Sequence, residues 1–178
     1  MSRYCALLLV GLLVGMSLTT VGLSASGNNT TETTRPSVGD LEDRVFEAIN
    51  RERRAYGLPS LRRASDLSVV AREHSRDMMA RSYFAHKSPE GDDLRGRFAR
   101  RGIGHWRLIA ENIAYNLGYP DPVAAAVESW MRSPGHRRNI LNKQLTESGI
   151  GVAVDLSGRI YFTQVFATRD QTMVARAW

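Results

Sequence analysis

The chain has 178 residues, a formal net charge of +6 and a single cysteine, Cys5. Hydrophobic residues make up 43% of it and charged residues 24%, a balance that supports a packed core and excludes a wholly disordered protein. A single cysteine excludes an intramolecular disulfide, a cysteine-based zinc site and a dithiol redox pair. We therefore expect one compact domain that is stabilised by packing.

Residues 1–25 differ in composition from the rest. Arg3 precedes an apolar stretch that ends in small residues around Ala25, which is the plan of a secretory signal peptide. The alternative is an uncleaved membrane anchor over residues 4–23, because this stretch approaches the ~20 residues that span a bilayer. Both interpretations predict an exported domain, either secreted or tethered to the outer face of the membrane.

Residues 26–39 are polar and rich in Thr and Asn, which is typical of a linker. Asn28 and Asn29 each begin an Asn-x-Thr sequence, the acceptor pattern for glycosylation. The linker predicts that the domain itself occupies residues 40–170, followed by a C-terminal tail at 171–178.

Apolar spacing and capping residues predict the helices in chain order. They are expected over 41–56 with Asp40 as N-cap, from Ser65 onward, near 94–101, from Asp121-Pro122 onward, and over 135–141 after the cap signal Ser133-Pro134. Residues 149–154 and 159–167 are rich in β-branched and aromatic residues, which predicts an antiparallel hairpin. Helices first and strands last indicate an α+β fold with helices packed on a small antiparallel sheet.

Several short motifs follow one another along this domain. They include Tyr83-Phe84-Ala85-His86, Ala110-Glu111-Asn112-Ile113-Ala114, Ser133-Pro134-Gly135-His136 and Gly149-Ile150-Gly151-Val152. In this order the sequence resembles the prokaryotic branch of the CAP superfamily, also called SCP, which includes cysteine-rich secretory proteins, antigen 5 and pathogenesis-related proteins. The resemblance covers residues 42–167. It implies an α-β-α sandwich, an extracellular location and a cleft lined by two histidines and acidic residues.

The resemblance assigns three cleft residues directly, because His86, Glu111 and His136 match the family's motifs. A second glutamate of the eukaryotic pattern falls on Ser133 here, and Glu128 is the nearest acidic substitute, although it lies off the apolar face of its helix. The cysteine framework of the animal members is absent.

Two polar residues are expected to support the cleft. Asn112 is expected to bond to backbone there, and Gln164 is expected to reach it from a strand face that is otherwise apolar. The aromatic residues expected in the core are Tyr83, Phe84, Trp130, Phe162 and Phe166.

Two neutral imidazoles, His86 and His136, together with Glu111 form a donor set that suits Zn²⁺ with an open position for water. Zn²⁺ or Mg²⁺ is therefore the expected cofactor if a metal is bound, and a hydrogen-bonded structural or ligand-binding cluster is the alternative. His74 lies on an apolar helical stripe, so we expect a core residue, and His105 is expected at the surface.

Two functional hypotheses follow. The first is a non-catalytic, monomeric CAP-domain protein whose cleft binds a lipid or sterol, an acidic cell-envelope polymer or a protein. It is favoured by the basic segment from Arg95 to Arg101 and by the absence of a Gly-x-Ser-x-Gly nucleophile motif. The second is a metal-dependent, protease-like hydrolase in which His86 and His136 hold the metal and Glu111 is a third ligand or general base.

The expected partners exclude nucleic acid, because few aromatic residues accompany the arginines and an exported protein rarely meets it. Membrane contact is expected only through an uncleaved N-terminus.

Overall fold

The computed structural model describes residues 36–170, which contain five helices and four strands. Their bounds are α1 (Val38–Ala55), β1 (Arg62–Arg63), α2 (Ser65–Ala80), α3 (Leu94–Arg100), β2 (Trp106–Asn116), α4 (Pro122–Arg132), α5 (Pro134–Ile140), β3 (Glu147–Val154) and β4 (Ile160–Arg169). The expected signal peptide or anchor, most of the linker with Asn28 and Asn29, and the C-terminal tail lie outside the described residues. Among the helices of residues 36–170, none has the length and apolar character needed to cross a bilayer.

The four strands form one sheet in the order β1-β3-β4-β2. Strands β3 and β4 are antiparallel, β4 and β2 are antiparallel, and the two-residue β1 runs parallel to β3. β2 is therefore an edge strand of this sheet.

Helices cover both faces of this sheet. Alternate residues of β4 belong to two core clusters: Phe162 and Phe166 pack with α1, α4 and α5, whereas Val165 packs with α2 and α3. Successive side chains of a strand point to opposite faces, so the sheet lies between two helical layers. This confirms the expected α+β sandwich.

The N-terminus of α1 differs from the prediction. Ser37, not Asp40, is the N-cap: its hydroxyl accepts from the Asp40 N–H at 3.1 Å, and the Asp40 carboxylate accepts from the Ser37 N–H at 2.9 Å. This reciprocal pair is a capping box, which places Asp40 inside the first turn. At α4 the prediction is confirmed, because the Asp121 carboxylate accepts from the N–H groups of Val123 and Ala124.

The core contains most of the expected aromatic residues. Trp130, Phe162 and Phe166 are completely buried, and the Trp130 indole N–H donates to the Ile113 carbonyl at 2.9 Å. Tyr83 is partly buried. The prediction for Phe84 is wrong: its side chain is 43% exposed and packs edge-on against Tyr115 near the surface.

Candidate functional site

Glu111 is the centre of the candidate site. It lies in the middle of the edge strand β2, and its register partner is Val165, which packs on the α2 side of the sheet. Its carboxylate is almost completely buried, and both oxygens are engaged: Oε1 lies 2.8 Å from Nδ1 of His86, and Oε2 accepts from Nη2 of Arg97 at 2.6 Å. Because a carboxylate accepts, His86 donates from Nδ1, and in a neutral ring Nε2 remains an acceptor.

Arg97 holds this arrangement together. Its guanidinium is buried, and Nη1 donates to the backbone carbonyls of His86 at 3.1 Å and Asp92 at 3.4 Å while Nη2 binds Glu111. Arg97 thereby fixes both the carboxylate and the loop that carries His86. The sequence pattern places Arg97 only in a basic segment, because a seven-residue helix is too short for apolar spacing to show which side is buried.

His74 lies behind the same carboxylate. It is 1% exposed, its Nε2 lies 3.0 Å from the Ala85 carbonyl, and the same atom is 3.9 Å from Glu111 Oε1. Burial lowers the pKa of His74, and the nearby Glu111 only partly opposes that effect. The predicted buried position is confirmed, but its closeness to Glu111 had no sequence signal.

His136 approaches β2 from the other helical layer. Its backbone carbonyl accepts from Nδ2 of Asn112 at 3.2 Å, and Asn139 joins α5 to β2 by donating to Asn112 Oδ1 at 2.9 Å. The ring is half-buried, and its Nδ1 has no hydrogen-bond partner among residues 36–170. Burial lowers the pKa of His136, with a further contribution from His86.

The site therefore lies across the edge of the sheet. Asn112 and Glu111 are successive residues of β2 and point to opposite faces, so His136 belongs to one face and His86 to the other.

Two other candidate residues lie elsewhere. Glu128 is on the exposed side of α4, where its carboxylate is 3.4 Å from Arg132, and its place in the cleft stays a prediction. Gln164 is completely buried beside Asn112 in the sheet register and donates to Ser148 Oγ at 3.1 Å. It is part of the core behind the cleft and does not open into it.

A cavity of about 340 Å³ opens beside Glu111. Its walls combine cationic and apolar groups with two carboxylates, and the lining residues are His86, Lys87, Asp93, Leu94, Arg95, Ile109 and Glu111. The Asp93 carboxylate caps α3 by accepting from the N–H groups of Arg95 and Gly96, and Glu111 is paired with Arg97. Lys87 and Arg95 are the remaining cationic side chains of the cavity, and the guanidinium of Arg95 lies over the Trp106 ring, 5.3 Å from its centre.

The donor set does not fit a divalent cation. Within residues 36–170 no three His, Cys, Asp or Glu side chains are grouped so that they could hold a metal ion. Both oxygens of Glu111 are bound, and the guanidinium of Arg97 lies where a cation held by that carboxylate would be repelled. The predicted Zn²⁺ or Mg²⁺ site thus lacks a third ligand in this arrangement.

Comparison with known proteins identifies the family. Residues 46–166 match the sequence pattern of the cysteine-rich secretory protein family, CAP. An uncharacterized protein of Bacillus subtilis, YkwD, is 38% identical over 141 residues, which cover 79% of this chain and 52% of YkwD. This chain belongs to the cysteine-rich secretory protein (CAP) family, and it spans about half the length of that relative.

Solved structures agree with this assignment. An extracellular SCP-domain protein from Bacillus anthracis is 34% identical, with a TM-score of 0.61 over 74% of this chain and 41% of that protein. An outer surface protein of Borrelia burgdorferi shares the fold at 18% identity, with a TM-score of 0.68 over 76% of this chain and 97% of its own.

Proposed function

We propose that this CAP protein is an exported, non-catalytic binding protein whose cleft holds an anionic component of the cell envelope. The observation that carries the proposal is the hydrogen bonding of Glu111: one carboxylate oxygen accepts from His86 and the other from Arg97. The site is therefore a rigid, hydrogen-bonded support for the surrounding side chains. Export is supported by the apolar leader sequence of residues 1–25.

Hydrolysis has less support from the same geometry. A general base must lie within hydrogen-bond reach of the attacking water, and the Glu111 carboxylate is 5% exposed and already accepts one hydrogen bond on each oxygen. Ser88, two residues after His86, donates from its hydroxyl to Glu90 at 2.9 Å, in a turn. A metal-dependent reaction would also need the third ligand that Glu111 does not offer.

The walls of the cavity indicate the chemical class of ligand. Lys87 and Arg95 provide positive charge, and His86 adds an imidazole nitrogen on the same cavity. Leu94 and Ile109 provide apolar surface beside them. Phosphate or carboxylate groups on a polymer or lipid headgroup, next to a less polar backbone or chain, match this combination.

The proposal is tested by titrating polyglycerol phosphate, a soluble anionic polymer, into the full chain in a mild nonionic detergent. In Lys87→Gln/Arg95→Gln we expect about a tenfold loss of affinity or more, since two charge-assisted contacts are removed. The matched control is Arg51→Gln/Lys143→Gln, which removes the same net charge from two exposed side chains outside the cavity.

Equal losses in the two variants would mean that the polymer responds only to net charge, and the cleft proposal would be wrong. The same conclusion would follow if the wild-type chain bound no polymer at low salt.

A further inference from the structure

The exposed hydrophobic side chains of residues 36–170 are concentrated at one end of the sheet. Eight large hydrophobic side chains are exposed: Val38, Tyr56, Phe84, Tyr115, Leu117, Tyr119, Val154 and Leu156. All except Tyr56 lie near the end where β3 and β2 finish and β4 begins, or where α1 starts. We call six of them the sheet-end surface: Phe84, Tyr115, Leu117, Tyr119, Val154 and Leu156.

Two aromatic members of this surface are in contact, because the rings of Phe84 and Tyr115 are 4.8 Å apart between centroids. The Leu117 side chain lies near Gly158, in the turn of the β3–β4 hairpin. Leu156, in the same turn, is fully exposed. A fully exposed leucine in a turn, close in the fold to a second exposed leucine, has no role in the packing of residues 36–170.

The ionic groups around the surface are already engaged. The Asp155 carboxylate accepts from the N–H groups of Ser157 and Arg159, which closes the turn. The guanidinium of Arg159 lies 5.7 Å from the centre of the Tyr115 ring. The surface is thus apolar at its tip, with a cationic group beside its aromatic edge.

The polypeptide enters the domain at this same end. The Val152 N–H, two residues before the end of β3, donates to Glu42 in the first turns of α1, whereas Arg53 in the last turn donates to the Leu145 carbonyl just before β3. Helix α1 is therefore antiparallel to β3, and the preceding chain joins beside the sheet-end surface. If residues 4–23 are an anchor, the fourteen residues 24–37 can hold the start of α1 at most ~50 Å from the bilayer.

We propose that the sheet-end surface rests on a lipid bilayer. Leu156 and Leu117 enter the boundary between headgroups and acyl chains, about 5–10 Å deep, as apolar side chains of peripheral proteins do. Tyr115 and Tyr119 lie at headgroup level, where amphipathic rings are favoured, and Arg159 faces the lipid phosphates. This contact is separate from the cleft and adds to the membrane contact expected from an N-terminal anchor alone.

The test measures the depth of the turn, because an apolar N-terminal segment would bind vesicles by itself. The full chain carrying Cys5→Ser and Ser157→Cys is labelled with an environment-sensitive fluorophore and reconstituted into phosphatidylcholine–phosphatidylglycerol vesicles. Quenching by a lipid that is spin-labelled near the headgroup is then recorded. The matched control label is at Lys143→Cys, an exposed position that follows α5 near the opposite end of α1.

We expect quenching at position 157 to exceed that at 143 by about twofold or more, since only the former lies within the bilayer boundary. Adding Leu117→Asp and Leu156→Asp should reduce it to the level at 143. Because the contact is mainly apolar, high salt should not reduce the quenching at position 157. Binding of an anionic polymer to the cleft, by contrast, should weaken at high salt.

Equal quenching at the two positions would overturn the proposal. A blue shift of the fluorophore's emission at position 157 without quenching by the spin-labelled lipid would also overturn it, because the surface would then be a contact with protein.

Discussion

Arg97 and Glu111 depend on each other because both are buried, with side-chain exposures of 6% and 5%. Replacing Arg97 with Ala leaves a buried carboxylate without its guanidinium, which costs about 3–5 kcal/mol when a buried pair is broken in this way. The matched control is Arg132→Ala, which breaks the exposed pair with Glu128 and should cost at most about 1 kcal/mol. Urea unfolding measures both, and similar losses in the two variants would contradict the role given to Arg97.

The buried histidines predict how stability responds to acid. Burial lowers the pKa of His74 below its ordinary value of 6.5, so the unfolded chain takes up a proton at a pH where the folded chain does not. Its contribution is therefore fully present above about pH 6.5 and is lost as the pH falls below that value. The lowered pKa of His136 acts in the same direction.

We expect the wild-type free energy of unfolding to fall more than that of His74→Gln between about pH 7.5 and about pH 5.5. His105→Asn, at an exposed loop position, should keep the wild-type dependence. If His74→Gln showed the full wild-type loss, the pH effect would have another source.

Sequence patterns predicted the burial of some residues correctly but did not predict which distant residues pair with each other. Helical periodicity placed Glu128 off the apolar face of its helix, and the structure exposes it as that pattern indicates. The same reasoning placed His74 in the core. By contrast, the Arg97–Glu111 pair joins a short helix to an edge strand. Local sequence patterns do not show which distant residue will pair with a buried charge, so this pair could not be predicted.

At the scale of elements, α2 lies unusually close to β3. A Cβ atom at Gly151 would overlap the backbone of Ala71 and Arg72, and one at Gly149 would overlap that of Leu67 and Ser68. This contact explains why the Gly-x-Gly sequence of β3 is needed: glycine lets the helix rest directly on the sheet.

Gly151→Ala should therefore destabilise the protein by about 1–3 kcal/mol or more, since the helix must move away. Gly135→Ala is the control, because nothing surrounds that position in α5 and alanine favours a helix by about 0.5–1 kcal/mol. Thermal unfolding should show opposite shifts. A Gly151→Ala protein as stable as the wild type would show that the contact is loose.

The helices and the β3–β4 hairpin were predictable because caps, prolines and strand alternation are local signals. Strand β2 was not predicted: Glu111 and Asn112 interrupt its apolar sequence, and its pairing partner β4 lies about fifty residues further along the chain. The two-residue β1 is too short for any periodicity. The family resemblance marked the residues of β2 as a motif without showing their conformation.

At the scale of the whole molecule, the net charge of +6 favours approach to anionic surfaces. Binding of polyglycerol phosphate should weaken steeply as salt shortens the electrostatic range to about 8 Å near physiological ionic strength. Calorimetry across a salt series checks this expectation. An affinity independent of salt would mean that apolar contacts dominate in the cleft.

Calorimetric titration of the full chain with polyglycerol phosphate, with and without EDTA, distinguishes a cationic cleft from a metal site most directly. Cationic side chains supported by the Arg97–Glu111 pair should bind the polymer equally in both conditions, and added Zn²⁺ should not strengthen binding. Loss of binding in EDTA with recovery on Zn²⁺, abolished in His86→Ala/His136→Ala, would contradict the account and establish a two-histidine metal site.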